Sequence, residues 1–342
     1  MRHSLQPAAM IKGASLGFAI AALLASPAIS QSFSKDGEGG QNPNQPPAHT
    51  TRIPDLSMGN TRAQKQKSFE QAPQLQRGFD AKDLLEQRRR LDAAMSAIRP
   101  QRPGVVDAYV VTVALDSDPV FAREAREAGR VLARRYDADG RTLTLAGPDG
   151  VRDDLPRGSI DTLLVTLAAI AEKMDREEDV LVMYTTSHGL KLGLAYHYGD
   201  QGFGVLSPAK LSQALKDLGI ERRILILSAC YSGVFVPALA SDNSAILTAA
   251  ADNRTSFGCR AENDWTFYGD AMINHALRKP QPLQAAANEA ARTVAEWEIG
   301  QRLLASLPQT RIGRDVEQWL PALEARMPQT ASAPVGRPAV GE

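Results

Sequence analysis

Cysteine is almost missing from this chain: Cys230 and Cys259 are the only two in 342 residues. That excludes a disulfide-stapled scaffold and a cysteine-rich zinc module. An excess of either charge is missing too, since 39 Lys and Arg stand against 39 Asp and Glu. Nucleic-acid binders carry a basic excess or stripe, so that class is not expected. The five histidines, His3, His49, His188, His197 and His275, form no H-E-x-x-H pattern. The apolar run from Ala14 to Ala25 is short against the roughly 20 residues of a membrane span. What remains is 43% hydrophobic and 23% charged, a globular composition with ample length for a buried core.

The first thirty residues read as an export signal. Arg2, His3 and Lys12 precede the apolar run, no acidic residue occurs before residue 31, and Ala28 and Ser30 sit three and one before a cut at Gln31. An uncleaved anchor is the alternative. No cysteine lies near the cut, which argues against a lipoprotein. The expectation is a periplasmic or secreted protein with no stable membrane insertion after cleavage. Residues 31–78, rich in Gln, Asn, Gly, Ser and Pro, read as a disordered spacer. In 79–100 the spacing of Leu84, Leu85, Leu91, Met95 and Ile98 predicts a helix face, ended by Pro100 and Pro103. A compact domain is expected over 101–326, followed by a disordered Pro/Ala/Ser tail over 327–342.

Within the domain, strand-like and helix-like runs alternate. Strands are expected at Val105–Leu115, Arg141–Leu145, Val180–Thr186, Ile224–Ser228 and Ala245–Ala250. Helices are expected at Pro119–Tyr136, Ser159–Met174 and Pro208–Leu218, with Ser159 and Ser207 as caps, and across Asp270 to Leu304. The continuous apolar runs VLVMYTT and ILILS suit strands buried on both faces. This alternation predicts an α/β fold, a parallel sheet covered by helices.

Ligands in such sheets bind beyond the carboxyl ends of the strands. The residues to weigh are Ser187-His188-Gly189 after one strand and Ala229-Cys230-Tyr231-Ser232-Gly233 after another. One crossover joins these strands, which makes them parallel with both ends on one edge. As neighbours about 4.8 Å apart they would project an imidazole and a thiol into one cleft, the parts of a nucleophilic dyad. Taken singly, Cys230 also reads as a small buried hydrophobe and His188 as a solvated strand-end residue.

These blocks resemble the caspase–legumain clan of cysteine peptidases and, in detail, the legumain (asparaginyl endopeptidase) family in an exported, bacterial-type form. The resemblance rests on Tyr184-Thr185-Thr186-Ser187-His188-Gly189, Ser228-Ala229-Cys230-Tyr231-Ser232-Gly233, Ser256-Phe257-Gly258-Cys259 and Tyr268-Gly269-Asp270, and covers about Val105 to Leu277. It implies a three-layer α/β sandwich with a mainly parallel central sheet flanked by helices. It implies an acyl-enzyme mechanism with Cys230 as nucleophile, His188 as acid and base, and the amides of Gly189 and Cys230 as the oxyanion hole. Asp116 or Ser117, where the family tends to have Asn, would orient His188. Arg123, Ser228, Ser256 and Asp270 would form the substrate pocket, although Ser228 stands where the family carries an acidic residue. Cleavage after Asn is favoured, with Asp or a basic residue as alternatives. The partner is a peptide or protein substrate; no cofactor and no metal is expected, and a set of His188, His197 and Cys230 matches no standard metal site. His197 and His275 read as structural. Cys230 is expected free and Cys259 buried or in the pocket wall, with a redox-controlled disulfide between them as a further option. Besides the endopeptidase, two readings stay open: a catalytically inactive binding or scaffold protein on the same fold, and a caspase-like processing protease of different specificity.

Overall fold

The computed structural model describes residues 42 and 44–341. The export segment called over 1–30 lies outside these residues. The chain begins with α1 (Arg62–Glu70), a short β1 (Gln74–Gln76) and α2 (Ala81–Ser96). The core then alternates as expected: β2 (Ala108–Ala114), α3 (Pro119–Arg135), β3 (Thr142–Leu145), α4 (Ile160–Ala171) and β4 (Val180–Thr186). Three short strands follow, β5 (Gly189–Leu190), β6 (Gly193–Tyr198) and β7 (Gly202–Leu206), then α5 (Pro208–Asp217) and β8 (Arg223–Ser228). Next come α6 (Val236–Leu239), β9 (Ser244–Thr248), α7 (Phe267–Gly269), α8 (Leu283–Gly300), β10 (Gln309–Ile312) and α9 (Val316–Glu324). The expected caps are in place: Ser159 accepts from the Thr162 amide and Ser207 from the Lys210 amide.

The main sheet runs β10-β9-β8-β4-β2-β3, parallel except for the antiparallel edge strand β10. Alternation along each strand sends side chains to two apolar layers. Val110, Val182, Ile226 and Leu247 pack with α3, α8 and α9; Val111, Met183, Leu225 and Ile246 pack with α2, α4 and α5. Burial on both faces is why these strands read as unbroken apolar runs. The result is a helix–sheet–helix sandwich.

A second, antiparallel sheet, β1-β7-β6-β5, was not expected. It leaves the end of β4 and crosses to the end of β2, where Asp116 and His197 form an isolated parallel bridge. The Ser117 amide donates to His197 O at 2.9 Å and the His197 amide to Leu115 O at 2.9 Å.

The spacer and the tail correct the sequence reading. Residues 44–78 are laid on the domain: β1 pairs with β7, Thr61 caps α1, and Thr50 and Thr51 bind the Asp200 carboxylate. Composition misses this because the segment is held by polar contacts to a sheet edge rather than by an apolar face. The tail likewise docks: Val335 O accepts from Trp265 Nε1 at 2.8 Å, and the Ala339 amide donates to Asp270 Oδ2 at 2.7 Å. In α2 the expected face is only partly used. Leu91 and Ile98 are buried, whereas Leu84 and Leu85 are about half exposed.

Candidate active site

Parallel pairing of β4 with β8 sets Thr186 opposite Ser228, so His188 and Cys230 each stand two residues beyond the same rung. The ladder extends one step further through the Ser187 amide, which donates to Ser228 O at 3.2 Å. Gly189 lies directly against the next turn. A Cβ there would sit 1.8 Å from Cys230 O, so only glycine allows the two strand-end loops to touch. Tyr231 takes a left-handed conformation with φ 57°, a strained backbone that turns the chain sharply after Cys230. The Cys230 sulfur faces Ser256: the Ser256 amide points at Sγ at 3.2 Å and its hydroxyl at 3.6 Å.

His188 is one-third exposed. Its Nε2 is 3.6 Å from Asp118 Oδ2, and its ring meets Phe121 edge-on with centroids 5.1 Å apart. Burial alone would depress its pKa. The Asp118 carboxylate, a hydrogen bond with Cys259 and the charge of Asp116 outweigh that and hold it well above the ordinary histidine value. Cys259 is thus the second sulfur of the site, in contact with His188. Burial pushes its thiol pKa up against the pull of His188.

The orienting residues differ from expectation. Asp116 is fully buried and binds His49 and the Asp118 amide rather than His188. Ser117 turns away: its hydroxyl donates to Pro47 O at 3.1 Å and accepts from the Gly199 amide at 3.0 Å. Asp118, at the start of α3, is the carboxylate that reaches His188. The misplacement is a matter of alternation, because Asp116 and Asp118 lie on the same side of an extended segment and only the second clears the sheet end.

The pocket residues are also arranged differently. Arg123 is bound to the carbonyls of Ala261 and Asn263 and ion-paired with Asp264 at 3.3 Å. Asp270 is fully buried and holds Asn274 Nδ2 at 2.8 Å, the Ala339 amide, and His275 Nε2 at 3.4 Å. The expected Arg123–Asp270 mixed-charge pocket is therefore not formed by direct pairing. Ser228 is buried, 3.2 Å from Thr266 Oγ1. Below this turn sits Glu124, which sequence reasoning passed over. It accepts from Tyr184, Thr186 and the Thr266 amide, and its carboxylate abuts the Cα of Gly269. Burial raises its pKa against those donors. A signal was present: Glu124 falls in the apolar stripe of Val120, Phe121, Ala125 and Ala128, where a carboxylate must be buried and therefore partnered.

Above Asp116 lies a second cluster. His49 Nε2 is 3.0 Å from Asp116 Oδ1 and 3.7 Å from Asp118 Oδ1, and its ring stacks on His197 with centroids 3.5 Å apart. Burial and the neighbouring His49 push His197 down to about 4, so it is neutral at neutral pH. Burial opposes protonation of His49 as well, but Asp116 and Asp118 prevail and raise its pKa.

His188 and Cys230 thus stand just beyond adjacent strand ends of the parallel sheet. Residues 167–317 match the model of the Peptidase C13 family. Over those residues, a little under half of its length, the chain is similar to the C13 (legumain-type) cysteine peptidases. A looser likeness is found to caspase-1 from Spodoptera frugiperda, at 12% identity and a TM-score of 0.39, over 63% of this chain and 88% of that one. No curated protein matches.

Proposed function

We propose that this protein is a cysteine endopeptidase in which Cys230 and His188 act as a dyad. The observation that carries the reading is the shared rung of β4 and β8, with Gly189 packed on the Cys230 carbonyl. The Cys230 sulfur attacks the scissile carbonyl, forming a C–S bond while its proton resides on His188. His188 returns that proton to the leaving amine as the C–N bond breaks. A water then adds to the acyl carbon, giving its proton to His188, and the C–S bond breaks to restore the thiol and release the acid. The amides of Gly189 and Cys230 serve the developing oxyanion. Asp118, rather than Asp116 or Ser117, positions His188. The residue accepted before the cut is polar or charged, with Asn favoured, and Ser256, beside the sulfur, shapes that end of the pocket.

The test is alkylation by iodoacetamide at mildly acidic pH with mass mapping, in the native protein and in His188→Ala. Fast labelling of Cys230 that slows in the variant is the expected result. Equal slow labelling of Cys230 and Cys259 in both proteins would favour the inactive scaffold. A panel of Asn, Asp, Arg and Lys substrates then decides specificity.

We also propose export, on the strength of residues 1–30. No helix among the described residues is long and apolar enough to cross a membrane. The N-terminal mass of protein recovered from the periplasm or medium tests export directly. A mature start at Gln31 is expected, and an intact Met1 on cytoplasmic protein would refute it.

A further inference from the structure

The cluster above Asp116 has the composition of a metal site. We propose that His49, Asp116 and His197 bind a divalent transition ion of the zinc class, with Asp118 or a water closing the fourth position. Each of the first three residues offers one ligand atom, and these atoms lie within 4.8 Å of one another. Tetrahedral zinc with ligands near 2.0–2.1 Å places neighbouring ligand atoms about 3.3 Å apart. Here Asp116 Oδ1 is 3.0 Å from His49 Nε2, Asp116 Oδ2 is 3.9 Å from His197 Nδ1, and His49 Nε2 is 3.7 Å from Asp118 Oδ1. The two imidazoles face different oxygens of Asp116, so that carboxylate or a ring must turn for one atom from each residue to meet a single ion.

A second observation points to a ligand independently of this spacing. Asp116 has no exposed side-chain surface, and its Oδ2 has no hydrogen-bond partner among the described residues. A buried carboxylate oxygen left unsatisfied is costly, and a cation beside it removes that cost. Two imidazoles with one carboxylate suit zinc or cobalt and disfavour calcium and magnesium, which take oxygen ligands.

The three ligands come from three parts of the chain: the segment before α1, the end of β2 and strand β6. The ion would therefore clamp the N-terminal segment onto the head of the main sheet, beside Asp118 and hence beside His188. The site stands whether or not Cys230 is the nucleophile.

The experiment is titration of metal-free protein with Zn²⁺ by calorimetry and with Co²⁺ by absorption, using the full chain. One ion per chain is expected, with a tetrahedral Co²⁺ spectrum lacking sulfur-to-metal charge transfer. Binding should persist in Cys230→Ser and Cys259→Ser and fall at least tenfold in His49→Gln and His197→Gln. His49 lies outside both sheets, so its variant separates lost ligation from lost folding, and circular dichroism checks both. No binding to the native protein at micromolar metal would overturn the proposal. So would a thiolate charge-transfer band that vanishes in Cys230→Ser, which would place the ion on the dyad.

Discussion

The main sheet and the N-terminal segment reach the same site by opposite means. β4 and β8 deliver His188 and Cys230 through a ladder of backbone bonds between two apolar layers. The segment around His49 arrives with almost no apolar burial, held by polar contacts that include Asp116 and Asp200. The first kind of placement is written in a long hydrophobic pattern and is stable. The second rests on a few polar contacts, so it responds to pH, to salt and to a bound ion.

Substitutions in the strand-end loops should have the largest effects. His188→Ala is expected to lower kcat by about 10²–10⁴-fold, the range of a lost general acid–base, measured with the best peptide of the panel. Gly189→Ala should also remove most activity, because its methyl group collides with the Cys230 carbonyl. A fully active Gly189→Ala enzyme would show that the two loops do not meet as described.

Next in size are changes in the core and tail. Leu91→Ala in α2 should cost about 2–5 kcal/mol, as expected for a buried leucine, while Leu84→Ala should stay within about 0.5 kcal/mol. Urea unfolding of the two variants measures how much of α2 is anchored. Truncation after Met327 strips Trp265 Nε1 and Asp270 Oδ2 of their tail partners. A loss of about 1–3 kcal/mol is expected, together with a shift of P1 preference towards basic residues as the Asp270 carboxylate opens. Unchanged selectivity would place Asp270 outside the pocket.

The smallest effects are those of pH, and the two stacked histidines act with opposite sign. His197, held near 4 in the fold against an ordinary 6.5, stays neutral while the unfolded chain takes up a proton. Its contribution is therefore present above 6.5 and is lost as pH falls from there towards about 4. His49 is raised, so the stability it adds is fully present below 6.5 and is lost as pH rises through its folded value. The groups facing it are Asp116, Asp118 and His197. In metal-free protein carrying Cys230→Ser, limited proteolysis should find residues 44–58 better protected at pH 6 than at pH 8, and His49→Gln should abolish the difference. Equal protection at both pH values in the parent would mean that the ion pair does not hold the segment.

The placement of His188 and Cys230 was legible because the two residues follow closely on apolar runs, and runs buried on both faces are the strongest pattern a parallel sheet leaves. The carboxylate beside His188 was read two residues early, at Asp116, since alternation alone does not tell which member of LDSD clears the sheet. Glu124 was readable in principle from its place in the buried stripe of α3. The small antiparallel sheet was missed because β5, β6 and β7 are short and glycine-bearing, without a long period. The pocket was misjudged because Arg123 and Asp270 were matched by position, while their partners, Asp264 and the Ala339 amide, belong to a loop and a tail with no pattern of their own.

The sequence by itself determined the main strands, the helix caps and the order of the blocks that carry His188 and Cys230, because periodicity and local capping are encoded within ten or twenty residues. Only the tertiary structure decided that His49 reaches Asp116, that Cys259 shares the imidazole, and that the tail closes over Asp270. Those contacts join residues 67, 71 and 69 positions apart. Single polar side chains at such separations carry no periodic signal, and their meeting depends on which sheet edge the packed core leaves open.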